Sequence, residues 1–181
     1  MDWNVIATVY DQHGLRRARR FLSRYGEVAR THFHNVLVLQ VPDIEAFLEA
    51  MAAALEGNAG MFNDISRIMP AHATFSFESI AEFEDKARSI ARQWGDRLAG
   101  KSFHVRLHRR AGETSVKLGS HTEEVFLDNA ILQHLSETGR PGRVKFDDPD
   151  YLLDIETVGP RAGMSIWSRD DLMRFPFLHV D

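Results

Sequence analysis

Residues 102–110 have the sequence SFHVRLHRR, and residues 146–156 have the sequence FDDPDYLLDIE. In the first segment Phe103, Val105 and Leu107 occupy every second position, which predicts a β-strand with one apolar face. The positions between them carry two imidazoles and a guanidinium: His104, Arg106 and His108. The strand therefore has a core face and a charged face, and two further arginines extend the charge beyond it.

The second segment begins within a predicted strand over residues 143–147 and has the same division into faces. Asp147-Asp148-Pro149-Asp150 predicts a turn, because proline fixes φ and aspartate accepts local backbone hydrogen bonds. In the strand that follows, Asp154 and Glu156 alternate with Leu153 and Ile155, which we expect in the core together with Phe103 and Val105. These two carboxylates could hold a metal ion or act as an acid and base pair. Ion pairing with cations on neighbouring strands, for which His104 and Arg106 are available, is the simpler interpretation.

Helices separate these strands from the rest of the chain. Ser79 and Glu82 form a capping box that predicts the start of one long helix ending near Leu98. Ser120 and Glu123 form a second capping box, which predicts the start of the next helix. The first seventy residues follow the order β-α-β-β-α-β, which is that of a ferredoxin-like unit. Pro70 and the polar residues 71–78 are the predicted linker. We therefore predict an α+β chain with domains at residues 1–72 and 73–181.

Composition excludes several classes of protein. The chain has 181 residues, 44% hydrophobic and 27% charged, no cysteine and a formal net charge of −4. Disulfides and thiolate chemistry are thereby excluded, and nucleic-acid binding through overall basic charge is not expected. No nucleophile, phosphate-loop or dinucleotide motif occurs, and the histidines lack metal-ligand spacing. We expect no catalysis, cofactor or metal, and without a signal or membrane-spanning segment we expect a cytoplasmic location.

Basic residues cluster on particular elements. Guanidinium groups match the geometry of phosphate, so several on one surface would bind a nucleic-acid backbone. The candidate phosphate contacts are Arg106, Arg109, Arg110, Lys117, Arg161 and Arg169. His104, His108 and Trp167 could stack on unpaired bases. Solvated cations that balance nearby acids are the alternative, and we favour that alternative for the arginine-rich helix face at residues 16–24.

The residues from about Phe77 to Phe177 resemble a THUMP domain, an RNA-binding module of 4-thiouridine synthetases, some tRNA methyltransferases and the adaptors for tRNA cytidine acetylation. The pattern Phe103-x-Val105-Arg106, the helix through Ile131 and residues 144–156 carry the resemblance, with Gly163-x-Ser165 and Asp171-Leu172-x-x-Phe175. A ferredoxin-like domain often precedes such domains. The family usually has two helices where we predict one before Ser102.

The resemblance is closest to the acetylation adaptors. It implies a non-catalytic protein that binds tRNA near its 3′ acceptor end and presents it to a separate modifying enzyme. Two alternatives remain open. The chain could dock an acidic partner enzyme through its basic surface, or it could be a small metal-dependent enzyme that uses Asp154 and Glu156.

Overall fold

The computed structural model describes residues 1–113 and 115–179, without the side chains of Ala59 and Met61. The chain divides into two compact units, one formed by Met1–His72 together with the segment from Leu172 onward, and the other by Ala73–Asp171. Both units combine a β-sheet with helices. The predicted α+β class is confirmed.

The first unit contains a four-stranded antiparallel sheet. Its elements are β1 (Val5–Val9), α1 (Leu15–Leu22), β2 (Glu27–Arg30), β3 (Val36–Gln40), α2 (Ile44–Gly57) and β4 (Ile65–Pro70). The strand order β2-β3-β1-β4 is that of a ferredoxin-like fold. Asp43 caps α2, because its carboxylate accepts a hydrogen bond from the Ala46 amide at 3.0 Å.

The second unit contains a five-stranded mixed sheet in the order β5-β9-β8-β6-β7. Its elements are β5 (Ala73–Ser76), α3 (Ile80–Gln93), α4 (Gly95–Leu98), β6 (Ser102–Arg110), α5 (Ser120–Glu137), β7 (Arg143–Val144), β8 (Tyr151–Val158) and β9 (Arg161–Ser168). Strand β6 runs parallel to β8 and β7, whereas β9 is antiparallel to both β8 and β5. The predicted core residues Phe103, Val105, Leu153 and Ile155 are all buried.

Helix α5 covers the edge of β6 that β7 leaves unpaired. Strand β7 pairs with β6 only at Ser102 and Phe103 in the described chain. Beyond these residues, acidic side chains of α5 accept hydrogen bonds from backbone amides of β6. Glu124 accepts from the Leu107 amide at 2.8 Å, and Asp128 accepts from the Val105 amide. These carboxylates block the pairing of another strand at this edge.

Two local predictions are wrong. The helix expected to run unbroken to Leu98 is interrupted at Trp94, whose φ of −91° and ψ of 5° end α3. A Cβ added to the buried Gly95 would lie 2.9 Å from Nε2 of His134, so glycine allows α4 to lie close to α5. The expected linker at residues 71–78 contains β5, which pairs with β9 at the sheet edge.

The C-terminal segment differs from the predicted domain assignment. Residues 172–181 were placed in the second domain, but the segment from Leu172 onward belongs to the first unit. There Phe177 is buried and stacks on Phe62, with ring centroids 6.1 Å apart, and Arg174 pairs with Glu49. Short helix α6 (Arg169–Arg174) leads into this segment. Burial of aromatic side chains against the first unit explains the assignment.

Candidate nucleic-acid interface

The strand register separates the predicted phosphate-binding residues. Arg110 is in register with Val158 of β8, and Val158 is in register with Arg161 of β9, so these residues lie at the carboxyl end of β6. Lys117 follows in the next loop. Arg169 directly follows Ser168, the last residue of β9. Seven residue steps separate Ser168 from Arg161, so the two ends of this strand are roughly 23 Å apart. The sequence prediction therefore combined residues from opposite ends of the sheet.

Arg110 is engaged within the protein. Its guanidinium donates to Glu156, whose side chain is 3% exposed. On the same two strands, Nε2 of His108 lies 3.4 Å from Oδ1 of Asp154. The predicted ion pairing is thus observed for Glu156, with Arg110 as its partner, and Asp154 lies next to His108; the sequence analysis had named neither of these residues as a partner. Ligand atoms of His108, Asp154 and Glu156 lie within 4.8 Å of one another. Because Arg110 already supplies positive charge there, we interpret the group as an ion-pair network.

Other predicted cations also have protein partners. Arg169 donates to Asp148 at 2.7 Å and lies 3.6 Å from Asp150. Arg161 donates to the Thr74 hydroxyl at 2.8 Å. Arg106 is half-buried beside Asp154 in the register. The contacts of Arg161 and Arg169 hold these two guanidinium groups against their own unit.

Arg109 and Lys117 differ from the other four predicted residues. Both side chains are exposed at the carboxyl end of β6, and neither has a side-chain partner in the described part of the chain. We call this pair the carboxyl-end cations. They retain the capacity for phosphate contact that the sequence analysis assigned to all six.

A second group of exposed residues lies at the opposite end of β6, and the sequence analysis did not identify it. We call it the Phe146 cluster, and it consists of Lys101, Arg143, Lys145 and Phe146. Its position follows from β7, since the Arg143 amide donates to the Lys101 carbonyl and the Lys145 amide to the Phe103 carbonyl. Phe146 was predicted as part of a strand over residues 143–147, whereas β7 ends at Val144. An apolar residue within a polar turn was the available signal.

Two of the three residues predicted to stack on bases are buried, and the third, His108, is partly exposed beside Asp154. His104 is 6% exposed and Trp167 is 3% exposed, with the indole N–H donating to Ser165 at 2.8 Å. Burial lowers the pKa of His104, and the nearby Arg106 charge lowers it further, which favours the neutral imidazole. The exposed aromatic ring in this region belongs to Phe146, which is 75% exposed.

Helix α1 provides a third cationic surface. Its apolar face is buried, while Arg16, Arg17, Arg19, Arg20 and Arg24 are exposed on or just after the helix. Arg17 pairs with Asp64 at 2.6 Å. The other four, which we call the α1 arginines, have no side-chain partner among residues 1–113 and 115–179. Four like charges on a short helix repel one another, and an anion bound there would relieve the repulsion.

Helix α5 carries two buried acids. Glu123, predicted to cap α5, is instead 2% exposed, and the helix begins after Gly119. Burial, together with the charge of the nearby Glu84 and a hydrogen bond shared with it, raises the pKa of Glu123 to about 7. Burial likewise raises the pKa of Asp128 to about 7, opposed by the hydrogen bond from Val105. Both carboxyl groups are therefore partly protonated near neutral pH.

Replacing Glu123 with glutamine should stabilise the protein at alkaline pH. The pKa of this carboxyl group is about 7 in the folded state and near 4.5 when unfolded, so folding stability falls as the pH rises from about 4.5 to about 7. Glu123→Gln removes this loss, which amounts to at most about 3 kcal/mol at pH 8. Urea unfolding at pH 5 and pH 8 measures the difference. Glu113→Gln, at an exposed acid, is the control, and an equal effect of both substitutions would contradict the assignment.

Comparison with family models and with curated protein sequences finds no match. Solved structures do match. PH1313 from Pyrococcus horikoshii aligns over 91% of this chain and 54% of its own, with 14% identity and a TM-score of 0.59. A 4-thiouridine synthetase in complex with RNA and ATP aligns over 92% of this chain and 42% of its own, with 16% identity and a TM-score of 0.54.

TrmN from Thermus thermophilus aligns over 90% of this chain and 44% of its own, with 16% identity and a TM-score of 0.53. This chain thus spans about half or less of the length of these structures. No helix in the described residues is long and apolar enough to cross a bilayer. The synthetase belongs to a class that carries THUMP domains, and the comparisons show that this chain has a THUMP-like fold preceded by a ferredoxin-like unit.

Proposed function

We propose that this protein binds structured RNA, with the acceptor end of tRNA as its target, and presents that RNA to a separate modifying enzyme. The observation that carries the proposal is the presence of exposed cations without side-chain partners within the described residues, on both units of a chain that is acidic overall. The structure of a 4-thiouridine synthetase with RNA supports it, because that protein has the same fold over 92% of this chain.

Local charge is what matters for this proposal. Acids outnumber bases in the chain by 26 to 22, so nonspecific attraction along the whole surface is weak. The carboxyl-end cations and the α1 arginines nevertheless form places where positive charge is not neutralised by a neighbouring carboxylate. Contacts with phosphate at such places position an RNA without reading its sequence.

The proposed role is non-catalytic. In support, the acids considered as a catalytic pair have roles within the fold: Glu156 accepts from Arg110, and Asp154 lies beside His108. A general base needs a lone pair directed at its substrate, and these carboxylates are 1% and 2% exposed. The modification of the RNA is accordingly assigned to a partner enzyme.

Removal of the carboxyl-end cations tests the proposed function. Arg109→Ala combined with Lys117→Ala should lower the slope of log K against log salt concentration by about 2, because each lost phosphate contact changes the slope by about 1. Fluorescence anisotropy with labelled tRNA at several salt concentrations gives the slope. Arg92→Ala, at an exposed arginine on α3, is the matched control. An unchanged slope in the double variant would remove these residues from the interface.

A further inference from the structure

We infer that Phe146 is a stacking site for an unpaired nucleobase of RNA. This inference rests on the proposed function and adds to it a position for the single-stranded end of the RNA. An aromatic ring on a protein surface stacks on any base, since every base has a π-face, and flanking cations hold the phosphates on either side.

The ring of Phe146 is both accessible and held in place. It is 75% exposed, which is high for a phenylalanine, and the remainder of the ring contacts His104. The two ring centroids are 4.8 Å apart at an interplanar angle of 75°, an edge-to-face arrangement. Because His104 is itself 6% exposed and belongs to β6, it forms a fixed support for the phenyl ring.

The backbone around Phe146 is fixed on both sides. Before it, the amides of Arg143 and Lys145 donate to carbonyls at the start of β6, at 3.1 and 2.9 Å. After it, Lys145 Nζ donates to the Asp148 carbonyl at 3.0 Å, and Asp148 adopts a φ of 46°. The Asp150 carboxylate then accepts from the Ser102 amide and hydroxyl, both at 2.8 Å. A ring positioned in this way loses little entropy when a ligand binds.

Charge around the ring favours a nucleic acid. Arg143 and Lys101 are exposed, and Arg143 is in register with Ser102, the residue after Lys101. Of the acids nearby, Asp148 and Asp150 are neutralised in part by Arg169, at 2.7 and 3.6 Å. Asp147 is an exposed acid next to Phe146, so we assign the phosphate contacts to Lys101 and Arg143.

The size of the site favours a base over a protein partner. Stable protein interfaces bury about 1,200–2,000 Å² in total, with an apolar centre. Phe146 is a single exposed ring among cations and acids, so it offers too little apolar area for such an interface. One nucleobase matches the area of one phenyl ring.

Two RNAs distinguish this site from general phosphate binding. One is a hairpin with a short single-stranded 3′ end that carries 2-aminopurine at its last nucleotide, and the other is the same hairpin with a blunt end. Phe146→Ala should weaken binding of the first roughly 5- to 150-fold, the range for one stacked base, and leave the second unchanged. Wild-type protein should quench the 2-aminopurine fluorescence, and the variant should not.

Two further variants control the experiment. Phe146→Trp should restore both affinity and quenching, because indole also presents a stacking face. Tyr10→Ala, which removes another exposed ring (68% exposed), should change neither. Equal losses for the two hairpins, or full affinity of Phe146→Ala for the tailed hairpin, would overturn the stacking site and leave the proposed function standing. If wild-type protein bound neither hairpin nor tRNA, both proposals would fail.

Discussion

Replacing Arg110 with alanine should lower the free energy of unfolding by about 3 kcal/mol, because the substitution removes a charged donor from a buried carboxylate. The side chain of Glu156 is 3% exposed and that of Arg110 is 16% exposed, so water cannot replace the guanidinium without rearrangement. Urea unfolding at pH 7 measures the change. The neighbouring Arg109→Ala is the control, since an exposed residue without a partner in the described chain should change stability by less than about 0.5 kcal/mol.

A second substitution identifies the cause of the loss. Glu156→Gln in the Arg110→Ala background should recover part of the lost stability, because a neutral amide is less costly to bury than an unpaired carboxylate. Equal stability of Arg110→Ala and the wild-type protein would show that the ion pair is unimportant to the fold. The prediction also matters for binding studies: a joint replacement of Arg109 and Arg110 would confuse weaker folding with weaker RNA binding.

Replacing the α1 arginines with alanine should weaken RNA binding by up to about 1,000-fold at low salt. Each of Arg16, Arg19, Arg20 and Arg24 that contacts a phosphate contributes on the order of 1 kcal/mol and releases about one counterion. The slope of log K against log salt concentration should accordingly fall by up to about 4. Arg17 is kept in this variant, because it pairs with Asp64.

Charge-preserving substitution is the matched control. With lysine at the same four positions the helix keeps its charge, so the salt slope should remain near the wild-type value. Circular dichroism checks that the alanine and lysine variants are both folded. Unchanged affinity of the alanine variant would return this surface to the solvated helix face that the sequence analysis favoured.

Patterns within one strand could be predicted from the sequence, since alternation fixes which side chains share a face. Phe103, Val105 and Leu107 were assigned to the core for this reason, and all three are buried. The partners of the charged face could not be predicted in the same way. The pairing of Arg110 with Glu156 depends on how β6 and β8 are aligned, and that register is set by packing of the entire unit.

The remaining differences have a similar origin. Ser120 and Glu123 match the same capping pattern as Ser79 and Glu82, and Ser79 does cap α3. Glu123 is instead buried where α3 packs against α5. Phe146 falls within the strand predicted over residues 143–147, whereas β7 ends at Val144 and leaves the ring exposed. In both cases tertiary packing overrides the local pattern. The site residues that the sequence missed are those whose exposure depends on where an element ends.

Binding of tRNA by the wild-type protein is the most direct test of the proposed function. The affinity for intact tRNA, for tRNA trimmed of its single-stranded 3′ end and for a random RNA duplex should be measured over a range of salt concentrations. We predict that log K falls linearly with log salt concentration and that trimming weakens binding. Equal affinity for intact tRNA and random duplex, or no binding at low salt, would contradict the proposal and favour a surface that docks a protein partner.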